Sequence, residues 1–489
     1  MRLARLSVAL VAAGLPLLAC AAPDSSALEK LADRLEKLEA RNSELEKEVR
    51  ALKGEKQQIA QGLDSERLSQ YEPELTSRLK ATEKDVLNMK KGAKIAESLD
   101  GIKASAALTT IAQRAAGLPH VAADSGSQLN YRADVTLELP LKALGDTEHK
   151  LFAHFRLGQG QGLNAPFSSL GHFASAPNAI AFRASGANPD DSVAILGQAW
   201  YQATIPLPFG GFKPRSRQAL ELSFGKMDLF GFFDQNTAAG DESKQFLNSI
   251  FVHNPLLDAG REVGVDANGF QPGFVAAYLN KSDKRQPWRL SLGFFGAGER
   301  GANYQKSLAA PLLIAQAETQ LRLFDGLSGN YRLYGWNRSQ ANDFDGSLHK
   351  HSGLGASIDQ RIGDGVNLFA RYGKLLKGEL SFNQALSVGS AFSGSPWGRS
   401  ADTFGIAGSW LQAGKGYRNA GSSVDLNGDG VADFSFLPSG AEKVAEIYYR
   451  YRISAQFEIT PDIQWISRAG ANPQAGAVKV IGLRANVAY

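Results

Sequence analysis

From about Ile102 to Tyr489, segments of 10 to 15 residues place apolar and polar side chains alternately, and this period of two constrains the fold more than any other feature. In one segment Leu129, Tyr131, Ala133, Val135, Leu137 and Leu139 share a face, with Asn130, Arg132, Asp134, Thr136 and Glu138 opposite. The same holds for Leu151, Ala153, Phe155 and Leu157 against Phe152, His154 and Arg156, and for Ala315 to Leu323 and Ile447 to Phe457. Successive side chains of a strand point to opposite faces, so the pattern predicts β-structure. A soluble sandwich buries the apolar face; a bilayer permits the inverse, with lipid outside and a polar lumen inside. Alternation alone does not choose between them.

Segment length and loop order do. Sixteen candidate strands fall near 102–114, 127–141, 148–158, 197–208, 217–230, 271–282, 286–298, 309–324, 327–338, 351–362, 365–374, 384–392, 402–412, 442–456, 457–468 and 476–489. They exceed the usual soluble strand and suit tilted crossings of a membrane. Connections at Gly145-Asp146, Gly210 to Ser216, Lys281 to Gln286, Asp325 to Gly329, Gly363-Asp364 and Thr460 to Asp462 are short. Longer ones, 159–196, 231–270 and 413–441, lie between them. That alternation belongs to an all-β transmembrane barrel of about sixteen antiparallel strands, eighteen also being compatible. An even count leaves both barrel ends on the short-turn side. Composition agrees: 51 Gly with 26 Phe, 13 Tyr and 6 Trp suit short alternating strands, and no later apolar run reaches the length of a membrane helix. The net charge of +4 implies no nucleic-acid partner.

The first hundred residues read differently. Residues 1–21 form a signal peptide, with Arg2 and Arg5 before the apolar Leu6 to Leu18 and a small-x-small site at Ala19-Cys20-Ala21. Leu17-Leu18-Ala19-Cys20 also reads as a lipid-attachment box, so cleavage after Ala21 and lipidation of Cys20, the single cysteine, stay open. Residues 27–63 carry a heptad, with Leu28, Leu35, Asn42 and Val49 at position a and Leu31, Leu38, Leu45 and Leu52 at d. This predicts a periplasmic α-helical coiled coil, a dimer or a homotrimer, or else one helix lying on the barrel or on peptidoglycan. Residues 64–100 read as a linker and 101–489 as the barrel domain.

The final segment sets Ile481, Leu483, Ala485, Val487 and Tyr489 on one face, resembling the insertion signal of outer-membrane barrels. From Leu220 onward the chain resembles the carbohydrate-selective porin (OprB-like) family. The phrases that carry this are Phe224-Gly225-Lys226-Met227-Asp228, Phe233-Asp234-Gln235-Asn236 through Phe246-Leu247-Asn248, Phe369-Ala370-Arg371-Tyr372-Gly373, Gly398 to Gly405, and Pro461-Asp462-Ile463-Gln464-Trp465-Ile466 followed by Gly482-Leu483-Arg484. The resemblance spans roughly the last 270 residues and leaves the heptads outside. It implies passive diffusion of sugars or other small solutes across a Gram-negative outer membrane, in contact with its lipid. A structural anchor that tethers the envelope through its coiled coil is the alternative.

The alternation puts Arg132, Arg156, Glu318, Arg322, Arg332, Trp336, Arg371, Glu446, Arg450, Arg452 and Arg484 on the lumen face as candidate pore-lining residues. Arg forks and carboxylates would bind hydroxyl-rich or anionic solutes; alternatively these charges pair across strands and keep the wall rigid. Loops 159–196 and 231–270 are the candidates to fold inward. Asp425, Asn427, Asp429 and Asp433 have the spacing of a Ca²⁺ loop, with Gly430 at the sharp turn, but Phe436 stands where an EF-hand has Glu. A structural Ca²⁺ and an Asp/Asn/Gly turn cluster are both compatible with it; no other cofactor is required. With seven His and no nucleophile elbow, the sequence does not point to an enzyme.

Overall fold

The computed structural model describes residues 101–117, 126–163, 175–182, 191–208, 216–258, 269–296, 311–324, 326–363, 365–426, 428–433 and 436–489, with scattered positions between 37 and 51. Signal peptide and linker lie outside the described residues. The chain divides into two units, 1–100 and 101–489. In the first, Lys37, Ala40, Arg41, Ser43, Glu44, Lys47, Glu48, Arg50 and Ala51 are helical and exposed. All of them are heptad positions other than a and d; the a and d residues are outside the described set.

The second unit is a closed antiparallel barrel of sixteen strands: β1 Lys103–Ala116, β2 Ser127–Leu144, β3 Thr147–Gln159, β4 Val193–Pro206, β5 Gln218–Asp228, β6 Phe270–Asn280, β7 Trp288–Gly296, β8 Pro311–Leu323, β9 Leu327–Asn342, β10 Leu348–Gly363, β11 Val366–Lys377, β12 Phe382–Gly394, β13 Arg399–Ala413, β14 Ala441–Arg452, β15 Phe457–Ser467 and β16 Val478–Ala488. Every strand pairs with its sequence neighbours, and β16 closes on β1 from Ala107↔Ala488 to Ala116↔Lys479. Tyr489 extends the seam, donating its N–H to Ala106 O at 2.8 Å and accepting from Ala106 N at 3.0 Å. Closure removes the free edges that hydrocarbon does not tolerate. Connections within the barrel are short after even-numbered strands, while the longest follow β3, β5 and β13.

The faces are inverted relative to a soluble protein. Leu129 (69% exposed), Leu333 (66%), Leu292 (64%) and Ile481 (64%) point outward, whereas Arg132, Arg332, Arg371, Glu446 and Gln464 are buried inside. Such a belt would be untenable in water and is the surface a bilayer covers.

One expected turn is instead strand. Thr460 to Asp462 lies within β15, where Pro461 pairs with Leu483 of β16. The β14 ladder breaks there, running from Tyr448↔Asp462 to Tyr451↔Ile459 with nothing paired between. A proline has no N–H to give the ladder. The reversal itself lies at Ile453 to Gln456, where Ile453 N–H donates to Phe457 O at 3.0 Å.

Inside, large rings lie flat against the wall over glycines. A Cβ at Gly355 would stand 2.3 Å from the Tyr334 ring, and one at Gly405 would stand 2.1 Å from the Tyr448 ring. Any side chain at these positions would displace the ring.

Leu333 sits midway along β9 on the lipid face, so Leu333→Arg is expected to cost about 2–4 kcal/mol of folding stability. Denaturant titration of the protein refolded into liposomes measures this; a loss below 1 kcal/mol would argue against a hydrocarbon surface.

Candidate channel and its constriction

The segment after β5 turns into the barrel. Leu229–Gly231 forms a single 3-10 turn, capped by Asp228, whose side chain accepts from Phe230 N–H at 2.9 Å. The chain then runs along the inner wall to a short helix, α1 (Ser249–Val252), before returning to β6. Phe233, Phe246, Ile250, Phe251 and Leu257 of this loop are fully buried. Phe246 packs on Phe369 of β11 (5.5 Å between centroids) and edge-on against Tyr448 of β14 (5.0 Å).

Charged side chains of the wall hold it. Asp234, in left-handed backbone (φ 54°), receives Arg371 Nε at 3.0 Å, Tyr334 Oη at 2.7 Å and Asn254 N–H at 2.7 Å. Arg371 also donates to the carbonyls of Asp234 and Ala239, each at 3.1 Å, and of Phe251. On β14, Glu446 accepts the N–H of Leu247 at 2.5 Å and of Asn248 at 2.9 Å. Asn248 caps α1 through Ile250 N–H and donates to Gln464 of β15 at 3.0 Å. Arg484 of β16 donates to the carbonyls of Glu242 (2.7 Å) and Gln245 (2.8 Å). Asp359 receives Thr237 Oγ1 at 2.8 Å.

A second segment, 175–182, from the β3–β4 connection, also enters. Pro177 O accepts from Gln113 and Gln464 at 2.9 Å each, and Ala179 N–H donates to Leu247 O at 2.8 Å. Ser175 donates to Glu442. The two inserted segments therefore brace each other as well as the wall.

On β2 to β4, facing the loop, Asp134, Arg156, Phe152 and Trp200 keep partial exposure inside. Asp134 holds Arg132 Nε, Arg156 Nε and His154 Nε2, each at 2.7 Å, and Arg132 Nη2 reaches Glu242 of the loop at 2.9 Å. Beside this cluster the half-exposed rings of Phe152 and Trp200 stack at 4.7 Å. Phe232 meets Trp200 edge-on at 5.6 Å, and Lys150 Nζ stands 5.5 Å above the indole. Phe230 stacks on His253 at 3.8 Å. Burial, and after it the Arg371 guanidinium, holds His253 below its ordinary pKa, so this ring is neutral.

The expected pore-lining residues all occupy inward strand positions but divide into three groups. Arg132 and Arg156 stand at the mixed-charge cluster. Arg371, Glu446 and Arg484 bond the inserted loop and act as its footings instead of lining a wet wall; they and Trp336 are 4% exposed or less, and Arg132, also bonded to the loop, is 5% exposed. Arg332 is likewise buried, between Glu318 and Asp359 at 3.0 Å each. The correction has one cause: alternation assigns a face and is silent about what later folds against it. Arg322, Arg450 and Arg452 lie towards the short-turn end. Arg322 donates to Gly326 O at 3.4 Å, Arg450 to Thr403 Oγ1 at 2.9 Å, and Arg452 to the Ser454 and Ala455 carbonyls. Trp200 and Phe152, whose inward positions were legible, were missed for want of charge.

At the Ca²⁺-like loop, Asn427 lies outside the described residues. Asp425 accepts the backbone N–H of Gly428, Asp429 and Gly430, Asp429 accepts that of Val431, and Asp433 that of Leu426. Among the described residues no three His, Cys, Asp or Glu side chains are gathered as a metal site.

A closed sixteen-stranded barrel with a lipid-facing apolar belt and an inserted, anchored loop defines a porin of the Gram-negative outer membrane. The match of residues 126–489 to the family model described as carbohydrate-selective porin, OprB family, shows that the chain belongs to that family. Among solved structures, the high-pH form of Pseudomonas putida OprB has the same fold (TM-score 0.61, 17% identity, covering 81% of this chain and 97% of that one). The low-pH form aligns at 0.45 with 14% identity (82% and 96%), and an engineered Rh. blastica porin at 0.40 with 9% identity (79% and 99%). No curated protein matches the chain. Fold and family are those of passive channels, not enzymes.

Arg371→Ala leaves the Asp234 carboxylate buried without its cation, a loss expected to cost about 3–5 kcal/mol and to release the loop. Larger, noisier single-channel conductance steps in planar bilayers would follow; steps of unaltered size would show that this pair does not hold the constriction.

Proposed function

We propose that the channel passes sugars, and secondarily small anions, between the inserted loop and the β2–β4 wall. The observation that carries this is the juxtaposition of the Arg132–Asp134–Arg156–Glu242 cluster with the Phe152–Trp200–Phe232 rings. Both faces of a pyranose are met by such a pair: aromatic rings take the C–H face, and the forked guanidiniums and carboxylates exchange hydrogen bonds with the hydroxyls. Because the cluster's charges are largely paired, passage depends more on hydroxyl exchange than on net charge, and ionic selectivity is weak.

Calcium at the Asp425–Asp433 loop rests on ligand spacing alone. A tether to the envelope is a second role, compatible with transport and favoured by helical residues between 37 and 51 within a heptad pattern. The chain without its signal peptide is expected to sediment in mild detergent as an oligomer, and one lacking 27–63 as a monomer. Equal mass for both would remove the self-associating stalk.

For the channel, refolded protein in a planar bilayer should give stable steps that neutral monosaccharides block and that show at most weak anion preference. Trp200→Ala is expected to raise the half-blocking sugar concentration about tenfold, the worth of one aromatic stack, while leaving salt conductance nearly unchanged. A silent barrel, or strong cation selectivity, would overturn the proposal.

A further inference from the structure

The outward face of β13 to β16 and β1 changes character towards the long-loop rim. Below, it carries Leu483 and Leu108. Above, the same outward alternation brings up Arg114 on β1, Lys443 on β14 and Lys479 on β16, all exposed. Arg114 pairs with Ile481 and is thus diagonal to Lys479; Lys479 lies opposite Trp465, and Lys443 opposite Ser467. With strands about 4.8 Å apart and residues about 3.3 Å apart along them, Lys479 stands between the other two, about 8 Å from Arg114 and about 12 Å from Lys443, which are about 20 Å from each other. Among the described residues none of the three has an acidic partner. Lys479 Nζ rests 4.8 Å over the Trp465 ring, and Trp410, opposite Lys443, also faces outward. The carboxylate on this outer face, Asp402, lies at the opposite end of β13, held by Arg399 at 2.5 Å and Tyr449 at 2.6 Å.

Their height is set by the strand. From Lys479 to Tyr489 the chain rises ten residues. At about 3.3 Å per residue and a tilt of about 40°, that is about 25 Å, the height of a barrel's apolar band. Tyr489 marks the short-turn interface, so Lys479 and Trp465 stand where hydrocarbon meets headgroups on the long-loop side, which is the cell exterior. An unpaired cation there meets whatever charge the outer leaflet offers, and in a Gram-negative outer membrane that charge is the phosphate of a glycolipid. Arg takes phosphate oxygens in a fork, and lysines act as point charges around it.

We propose that Arg114, Lys443 and Lys479 form a binding site for the phosphates of an outer-leaflet glycolipid, with Trp465 and Trp410 at its acyl boundary. The test uses the full refolded chain in a zwitterionic detergent, with bisphosphorylated lipid A as probe and dephosphorylated lipid A and inorganic phosphate as controls. Lipid A should raise the Tm by a few degrees and survive as an adduct in native mass spectrometry. The triple variant Arg114→Gln, Lys443→Gln, Lys479→Gln should lose at least tenfold in adduct and the whole Tm rise. Its unboiled gel mobility and conductance should match the unsubstituted chain; if the triple variant does not fold, Lys443→Gln alone should lose adduct severalfold. An equal Tm rise with dephosphorylated lipid or inorganic phosphate would overturn the site, as would a triple variant that keeps its adduct. A triple variant that instead drops in oligomeric mass would assign the patch to contact between copies.

Discussion

Hydrocarbon offers a peptide group no hydrogen-bond partner, and the rest of this structure follows from that. Each strand must give its N–H and C=O groups to two neighbours, so the sheet has to close, and it closes by β16 on β1. Closure fixes the pleat, and the pleat decides which side chains meet lipid and which face the lumen. The interruption at Pro461 leaves a gap in a single ladder while the other stays whole.

Sixteen strands enclose more space than their own side chains fill, and the chain spends its inserted segments on that space. An inserted loop brings unsatisfied peptide groups with it. Charged inward residues meet that need: Glu446 takes two consecutive N–H groups, Arg371 gathers three carbonyls, and Arg484 two more. Burying such ions gains little net stability. Their value is positional, because a carboxylate or guanidinium accepts few alternative placements of the loop and thereby sets the width left beside β2 to β4.

The strands were legible to within a few residues because a half-buried wall writes a period of two directly into sequence. The segment 384–392 is a full strand, Phe382–Gly394, completed by pairing on both sides. Thr460 to Asp462 misled because Pro-Asp favours a turn locally, and only the ladder to β16 overrides it. The lumen was half legible. Charge and parity put Arg132 and Arg156 on the inner face, but the burial of Arg132, Arg371, Trp336, Glu446 and Arg484 depends on where the inserted loop comes to rest, which no local period encodes. The aromatic shelf escaped because Phe152 and Trp200 read as ordinary apolar residues until their inward parity is placed beside Phe232.

The footings of the inserted loop also carry an implication about time. They are drawn from β2, β8 to β11 and β14 to β16, so the narrow opening cannot exist until the final strand has zipped against the first. A barrel that has closed but not yet swallowed its loop is a wider hole than the finished protein. Maturation therefore runs from leaky to tight, and any delay in seating the loop exposes the cell to its own half-made channel.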